Sequence, residues 1–443
     1  MVSLHIGFDD TDSPKDGCTT YIAALMVEKL QKLGIVFNDY PNLIRLNPNV
    51  PWKTRGNGAL CLRITCNPSV VNDVFEKMAD TVEENSDLGF KDTDPGIVFF
   101  KGVRIPQEIK TFAQEAISGI VRKEQALRLI KRFKAEALGF GTGYGIVGAL
   151  AAIGETLDLD FTYELIAYRK PENRGTKRQL DLASVKEMDR KTKPQTFNNI
   201  DSETGRILIT PRGPDPILYG IRGETPEIVI KAHRFVRSLE PIERWVVFRT
   251  NHGTDAHLKG INAIMDIQPY HPVIIKGAVA SMPRLVPKRH RFFSIKDETG
   301  KVDCAAYEPT GTLRKIARKL IIGDIVEVYG GVRPSFKEHP LTINLEKLRI
   351  LELAPKRVTH NPKCPTCGKR MSSMGKDQGF RCPRCRFRSS SLKKRDYEES
   401  RRIARGLFIS SPRAQRHLTK PKCRYGREKK KNLNGILESW WHL

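Results

Sequence analysis

Acidic side chains are scarce in this chain of 443 residues: 50 Asp and Glu face 76 Lys and Arg, a formal net charge of +26. A surface so short of negative charge carries a positive field that draws polyanions and makes their binding salt-dependent. Long apolar runs are missing too. None approaches the roughly 20 residues needed to cross a bilayer, the longest candidate being Ile146 to Ile153, so no membrane partner is expected. The N-terminus runs straight into Val2-Ser3-Leu4-His5-Ile6 without a basic leader, so no secretory signal is legible and a cytoplasmic protein is expected. No repeat of fixed period marks a solenoid. Nor do nine cysteines make a disulfide framework at this length, since Cys18, Cys61, Cys66, Cys304 and Cys423 are scattered as in a reducing compartment.

What basic charge there is sits unevenly. Between Lys393 and Lys431 lie Lys393-Lys394-Arg395, Arg401-Arg402, Arg405 and Arg427-Glu428-Lys429-Lys430-Lys431, whereas the N-terminal segment holds the acidic cluster Asp9, Asp10, Asp12 and Asp16. That distribution points to a nucleic acid. The chain is too long for one core, and its patterning predicts a multidomain α/β and α+β protein. Residues 1–195 alternate strands and helices. A strand at Leu4 to Phe8 ends in the acidic run, and Tyr21 to Leu33 carries Ile22, Leu25, Met26 and Leu30 at helical spacing, with Gly34 as its stop. Lys191-Thr192-Lys193-Pro194-Gln195 reads as a linker. Residues 196–268 read as a small ferredoxin-like α+β domain, with strands at Arg206 to Thr210 and Trp245 to Arg249 around a helix near Pro226 to Leu239.

From 269 to 356 the pattern turns to strands: Val273 to Val279, His290 to Asp297 and Lys301 to Tyr307, then a helix at Leu313 to Leu320, then Asp324 to Tyr329 and Leu341 to Leu353. Three strands, a helix and two strands is the order of an OB-fold β-barrel. Such barrels bind single strands by stacking bases on aromatics above a basic surface, and Arg284, Lys288, Arg289, Arg291, Phe292, Phe293 and Tyr307 supply that chemistry. Strand alternation also requires at least one of the two phenylalanines to point into the barrel.

Residues 357–392 contain Cys364-Pro365-Thr366-Cys367 and Cys382-Pro383-Arg384-Cys385, fourteen residues apart. Each CxxC turns two thiolates toward one point, and two such knuckles make a tetrahedral S₄ site for structural Zn²⁺. Four cysteines leave no open position for catalysis. Residues 393–443 form a basic tail that is either an RNA arm or partly disordered.

Asp9-Asp10-Thr11-Asp12 sits where a buried strand meets a loop. Hard carboxylate oxygens converging there suit Mg²⁺ on a nucleotide phosphate; the alternative is a solvated turn. Thr19 and Thr20 open the Tyr21 helix, either as part of an anion site at its N-terminus or as simple caps. Gly139-Phe140-Gly141-Thr142-Gly143-Tyr144-Gly145 permits close backbone approach, with Gly141 and Gly143 as phosphate-contact candidates, but matches neither the Walker nor the dinucleotide pattern. Lys53-Thr54-Arg55-Gly56-Asn57-Gly58-Ala59 offers Lys53, Arg55 and Asn57 for phosphate or substrate. Asp92-Thr93-Asp94-Pro95-Gly96 adds a carboxylate turn, and Asn251-His252-Gly253-Thr254-Asp255-Ala256-His257 puts imidazoles in a loop, as surface caps or as site residues.

Gly7-Phe8-Asp9-Asp10-Thr11-Asp12-Ser13, Cys18-Thr19-Thr20-Tyr21, Ile44-Arg45-Leu46-Asn47-Pro48, the Lys53 to Ala59 segment, Asp94-Pro95-Gly96 and the Asn251 to His257 segment occur in this order. With the barrel and ribbon behind them, they resemble the archaeal tRNA(Ile) 2-agmatinylcytidine synthetase family over about residues 1–390. The resemblance implies an ATP-dependent carbon–nitrogen ligase with an N-terminal kinase-like domain. Its expected substrates are agmatine and the wobble cytidine of a CAU-anticodon tRNA(Ile); no obligate protein partner is expected. It further implies that Asp9, Asp10 and Asp12 bind Mg²⁺ around the ATP phosphates, that Thr19 matches a threonine phosphorylated in the family, and that carboxylates, for which Asp94 and Asp255 are candidates, meet the agmatine guanidinium. The chain departs from the family at Gly17, where a compact hydrophobic residue is usual. Two rivals remain: a non-catalytic single-strand RNA-binding protein, which has no use for the acidic loop, and another ATP-dependent RNA enzyme. A strand-joining ligase would need a nucleophilic lysine in a recognisable setting, and none is present.

Overall fold

Strand Val2–Asp9 buries Leu4, Ile6 and Phe8 completely and His5 almost so. The reason is topological: Gly58–Cys66 and Gly96–Lys101 pair with it on both edges, and helix Ile146–Gly154 packs over it. In the computed structural model, which describes residues 1–15, 17–337, 339–429 and 435–443, this strand lies within a sheet of 11 strands. Asp16 of the acidic cluster and Lys430-Lys431 of the basic run lie outside the described residues. The main path runs Glu136–Gly139, Gly96–Lys101, Val2–Asp9, Gly58–Cys66, Asn42–Arg45, Ile242–Thr250, Thr162–Arg169, Ile217–Gly223, Thr196–Phe197. Its neighbours are antiparallel except at one seam, where Arg249 and Thr250 lie parallel to Asn42 and Leu43. One hydrophobic cluster spans both sides of that seam, from Leu4 to Phe248.

Beyond the seam, four strands and the helices Leu182–Thr192 and Pro226–His233 form a ferredoxin-like βαββαβ unit. Its first strand and helix come from the region before residue 195. The segment expected to be a linker instead ends one helix and enters the next strand, with Thr192 and Thr196 buried and their hydroxyls 2.6 Å apart. The strand expected at Arg206 to Thr210 does not form. That stretch makes only an isolated bridge, Ile200 to Ile207, because Gly205 before it and Pro211, Gly213 and Pro214 after it break the ladder.

The barrel follows the expected order: Val273–Val279, His290–Lys296, Lys301–Ala306, helix Thr312–Ala317, Ile325–Arg333 and Thr342–Glu352. Pairings of the first strand with the second, and of the third with the fifth, close it. Phe293 fills the core while Phe292 stays half-buried beside Tyr307.

The tail is neither a free arm nor disordered where described. Gly406–Ile409 adds to barrel strand Thr342–Glu352, and Trp441–His442 adds to Ile242–Thr250 in the large sheet. Trp440 is buried edge-on against Phe37 and Tyr40, Leu418 joins the same core, and Arg424 is wholly buried between Asp160 and Glu224. Among the described residues, no helix is long and apolar enough to cross a membrane.

Candidate active site

The first strand ends at Asp9, and Asp10 adopts φ 61°, a left-handed turn that brings three carboxylates together. Left-handed backbone in a non-glycine residue marks a locally imposed conformation; here Asp10 accepts the Asp94 N–H at 3.1 Å. Gly148 explains how Asp9 fits, since a Cβ at that position would come within 1.8 Å of the Asp9 carboxylate. Burial first, then the neighbouring Asp10, pushes Asp9 well above the usual carboxylate range. Asp10, desolvated and facing Asp12, Asp94 and Asp92, rises to about 6. Crowded, desolvated carboxylates of this kind suit a hard divalent cation, which removes their mutual repulsion.

Helix Thr19–Lys32 starts beside them. Cys18 is its N-cap and makes no side-chain capping bond, so the threonines are not caps. Thr19 accepts from the buried Thr11 hydroxyl at 3.1 Å, and Thr20 meets the Cys18 thiol at 3.2 Å. The Lys53 to Asn57 segment clasps this loop from across: Arg55 pairs with Asp12 at 2.8 Å and Asp215 at 3.3 Å and donates to the Gly17 carbonyl at 2.6 Å. Gly17 itself has φ 79°, so a hydrophobic residue there would be strained. Asn57 donates to the Asn47 carbonyl at 2.7 Å, and Lys53 to the Arg55 carbonyl at 3.1 Å.

These groups line a cavity of about 600 Å³. Asp9, Asp10, Asp12, Thr19, Thr20, Lys53, Arg55 and Asn57, all expected at the site, are brought together there. Gly141 and Gly143 are not in its lining; the glycine loop contributes Tyr144 and Gly145 instead, and the helix that follows contributes Gly148. Asp94 and Asp255 do not line it either. Asp94 accepts the Thr142 N–H at 2.7 Å and so braces the glycine loop, whereas Asp255 is neutralised by the buried Lys347 and accepts from Lys420 N–H at 2.7 Å. Apart from the acidic trio, the one carboxylate in the lining among the described residues is Asp215, held at 3.1 Å by Arg178.

Sequence reading missed Trp52, Asp215 and the far C-terminal Arg416 and His417, which carry no local motif, and it named Arg45 only within the Ile44 to Pro48 motif, without a role at the site. Arg45 donates to His252 Nε2 at 2.6 Å. That bond leaves the His252 proton on Nδ1, 2.9 Å from Glu164. Arg222 donates to His417 Nδ1 at 2.8 Å, and the two imidazoles stack at 5.0 Å. Burial drives His252 down to about 3 and His417 well below the usual range, so both rings are neutral. The histidines of the 251–257 loop are therefore buried framework, neither surface residues nor caps.

In the ribbon, the Cys364, Cys367, Cys382 and Cys385 sulfurs lie within 4.8 Å of one another. Zinc with bonds of about 2.3 Å holds sulfurs roughly 3.8 Å apart, so the cluster fits that ion. Arg284 and Lys288 are exposed on the barrel rim, with Arg291 and Phe292 half-buried next to them.

Comparison with known proteins covers almost the whole chain. The TiaS TCKD domain matches residues 5–142, the TiaS FLD domain 143–257, an OB-fold nucleic acid binding domain 273–351 and the TiaS C-terminal zinc ribbon domain 361–403. The tRNA(Ile) 2-agmatinylcytidine synthetase TiaS of Pyrococcus horikoshii is 44% identical over 420 residues, covering 94% of this chain and 96% of its own. The crystal structure of TiaS in complex with its tRNA(Ile) and ATP superposes with a TM-score of 0.85 at 38% identity, covering 99% of both chains. That of TiaS with its tRNA(Ile), AMPCPP and agmatine gives 0.83 at 36%, again over 99% of both. With those relatives spanning all four folded parts, the chain belongs to the TiaS family of tRNA(Ile) 2-agmatinylcytidine synthetases.

Proposed function

We propose that this protein converts the wobble cytidine of CAU-anticodon tRNA(Ile) to agmatidine, using ATP and agmatine. The observation that carries this reading is the acidic trio meeting Thr19 at a helix N-terminus inside a cavity of about 600 Å³, in a chain of this family. A cytidine C2 carbonyl has no leaving group. Transfer of a phosphoryl group from ATP to its oxygen makes one; the agmatine nitrogen then bonds to C2, the C2–O bond breaks, and phosphate departs with the former carbonyl oxygen while the amine loses a proton. Asp9, Asp10 and Asp12 would hold Mg²⁺, which would supply neutralisation of charge on the phosphates. Thr19 and Thr20 line the phosphate end, and Thr19 is the hydroxyl available to accept a phosphoryl group. Arg55, tied to Asp12 and Asp215, fixes the acidic loop in place. Lys53 supplies a cation to the same wall, and Asn57 shapes its turn through Asn47.

The glycine loop, through Gly141 and Gly143, acts by letting Tyr144 and Gly145 approach the acidic strand end. The Arg284, Lys288, Arg291 and Phe292 face of the barrel holds single-stranded RNA by charge and stacking. Zinc fixes the ribbon as a second RNA-holding element. Anticodon bases are cheaply unstacked, which lets a cytidine enter a concave site.

The test is to incubate the protein with ATP, Mg²⁺, agmatine and unmodified CAU-anticodon tRNA(Ile) and analyse the nucleosides by mass spectrometry. A cytidine heavier by agmatine less water is expected. Unmodified cytidine despite tight tRNA binding would leave a non-catalytic RNA-binding protein as the better reading.

A further inference from the structure

The family domains account for residues 5–403 apart from two short connections, and nothing in them assigns the segment after the ribbon. That segment returns to the cavity. Gln415, Arg416, His417 and Leu418 are part of its lining, although they lie some 400 residues from the acidic loop in sequence. The 416–419 turn closes on itself, Arg416 N–H to Thr419 Oγ1 at 3.2 Å and Thr419 N–H to the Arg416 carbonyl at 3.1 Å. It is then pinned by the loop that bears the Asn-His-Gly-Thr-Asp motif: Gly253 N–H donates to the His417 carbonyl and Asp255 N–H to the Leu418 carbonyl, each at 2.8 Å. Leu418 anchors in the core, and the neutral His417 stacks on His252. The motif is thus a receptor for the C-terminal strap.

What the strap delivers is a guanidinium. Arg416 donates to the Pro48 carbonyl at 2.6 Å and keeps 35% of its side chain exposed. Its nearest carboxylate, Glu346, is 3.7 Å away and already takes His257 and Thr419. Lys53 shares the wall with no carboxylate within 4.0 Å among the described residues, and burial together with the nearby Arg416 depresses its ammonium. Two neighbouring cations in the lining of a cavity, with no carboxylate among the described residues closer than 3.7 Å to either, make an arrangement that an anionic ligand completes.

We propose that Arg416, presented by the C-terminal strap, binds a phosphate of the substrates beside Lys53 and so makes the strap part of the active site. The ligand chemistry is a phosphate oxyanion, from either the nucleotide polyphosphate or the RNA backbone. The proposal rests on the reading given under Proposed function, but its test needs no turnover. ATP and tRNA(Ile) affinities are measured separately for the full-length protein and for Arg416→Ala, Arg416→Gln and Arg416→Lys, with tRNA binding repeated across a salt series. Alanine and glutamine should weaken one ligand about tenfold or more, with lysine recovering part of the loss. Loss of ATP affinity assigns the nucleotide. Loss of tRNA affinity, with a salt slope shallower by about one, assigns the backbone. Glutamine retains a hydrogen-bond donor toward Pro48, so it guards against a folding defect. If the glutamine variant melts like the parent and binds both ligands within twofold of it, the proposal is overturned. Should the parent make no agmatidine while Arg416→Ala still loses phosphate affinity, the function fails and the phosphate site stands.

Discussion

The zinc ribbon and the cavity solve the same problem, converging several side chains on one point, by opposite routes. The ribbon gathers four thiols from a single stretch between Cys364 and Cys385, with a small core of Met371 and Phe380 beneath. Its geometry is local, and the metal supplies much of its folding energy. The cavity collects its walls from segments as distant as Asp9 and Leu418 and depends on the packed sheet and the docked strap for every distance. A local site is removable as a unit; a non-local one fails from any end.

That contrast is sharpest at Asp10→Ala, which should lower agmatidine formation at least about a thousandfold, the scale of losing charge stabilisation of a transferring phosphoryl group. tRNA affinity should stay within twofold; an equal loss of both would contradict the assignment of the acidic loop to catalysis. Next comes the strap's far anchor. Trp440→Ala empties a site against Phe37 and Tyr40 and should cost about 3–5 kcal/mol, lowering the melting midpoint by on the order of 10 °C. An unchanged midpoint would mean the strap is not docked. Cys382→Ser should strip zinc and weaken tRNA binding about tenfold while ATP affinity and the midpoint of the main body hold, because the ribbon has its own core. Metal analysis checks the first part, and retained zinc would sink the S₄ site. Smallest is Phe292→Ala, which should weaken tRNA binding about fivefold or more by removing a stacking face, without loss of stability. Phe293→Ala should do the reverse, since that ring is in the barrel core.

Legibility followed the same division. The first strand, the Thr19 helix and the barrel strands declared themselves through periodicity, because burial acts on neighbouring residues. The ribbon was readable because its ligands share one stretch. The acidic loop was readable as a cluster, but whether its carboxylates converge depended on the left-handed turn at Asp10 and on the absence of a side chain at Gly148. The strand expected at 206–210 failed through its flanking glycines and prolines, and the linker expected at 191–195 lies inside a unit whose first strand is Thr162–Arg169.

Composition and local pattern by themselves determined a basic RNA-handling protein with a barrel, a four-thiol metal site and an acidic strand end. Only the tertiary structure decided that Asp94 braces a loop, that Asp255 is bound to Lys347, that His252 is neutral and buried, and that the tail closes the cavity. The physical reason is that hydrogen bonds and charge pairs between distant segments leave no period or spacing in sequence, so nothing local tells an aspartate that meets a ligand from one that meets a lysine.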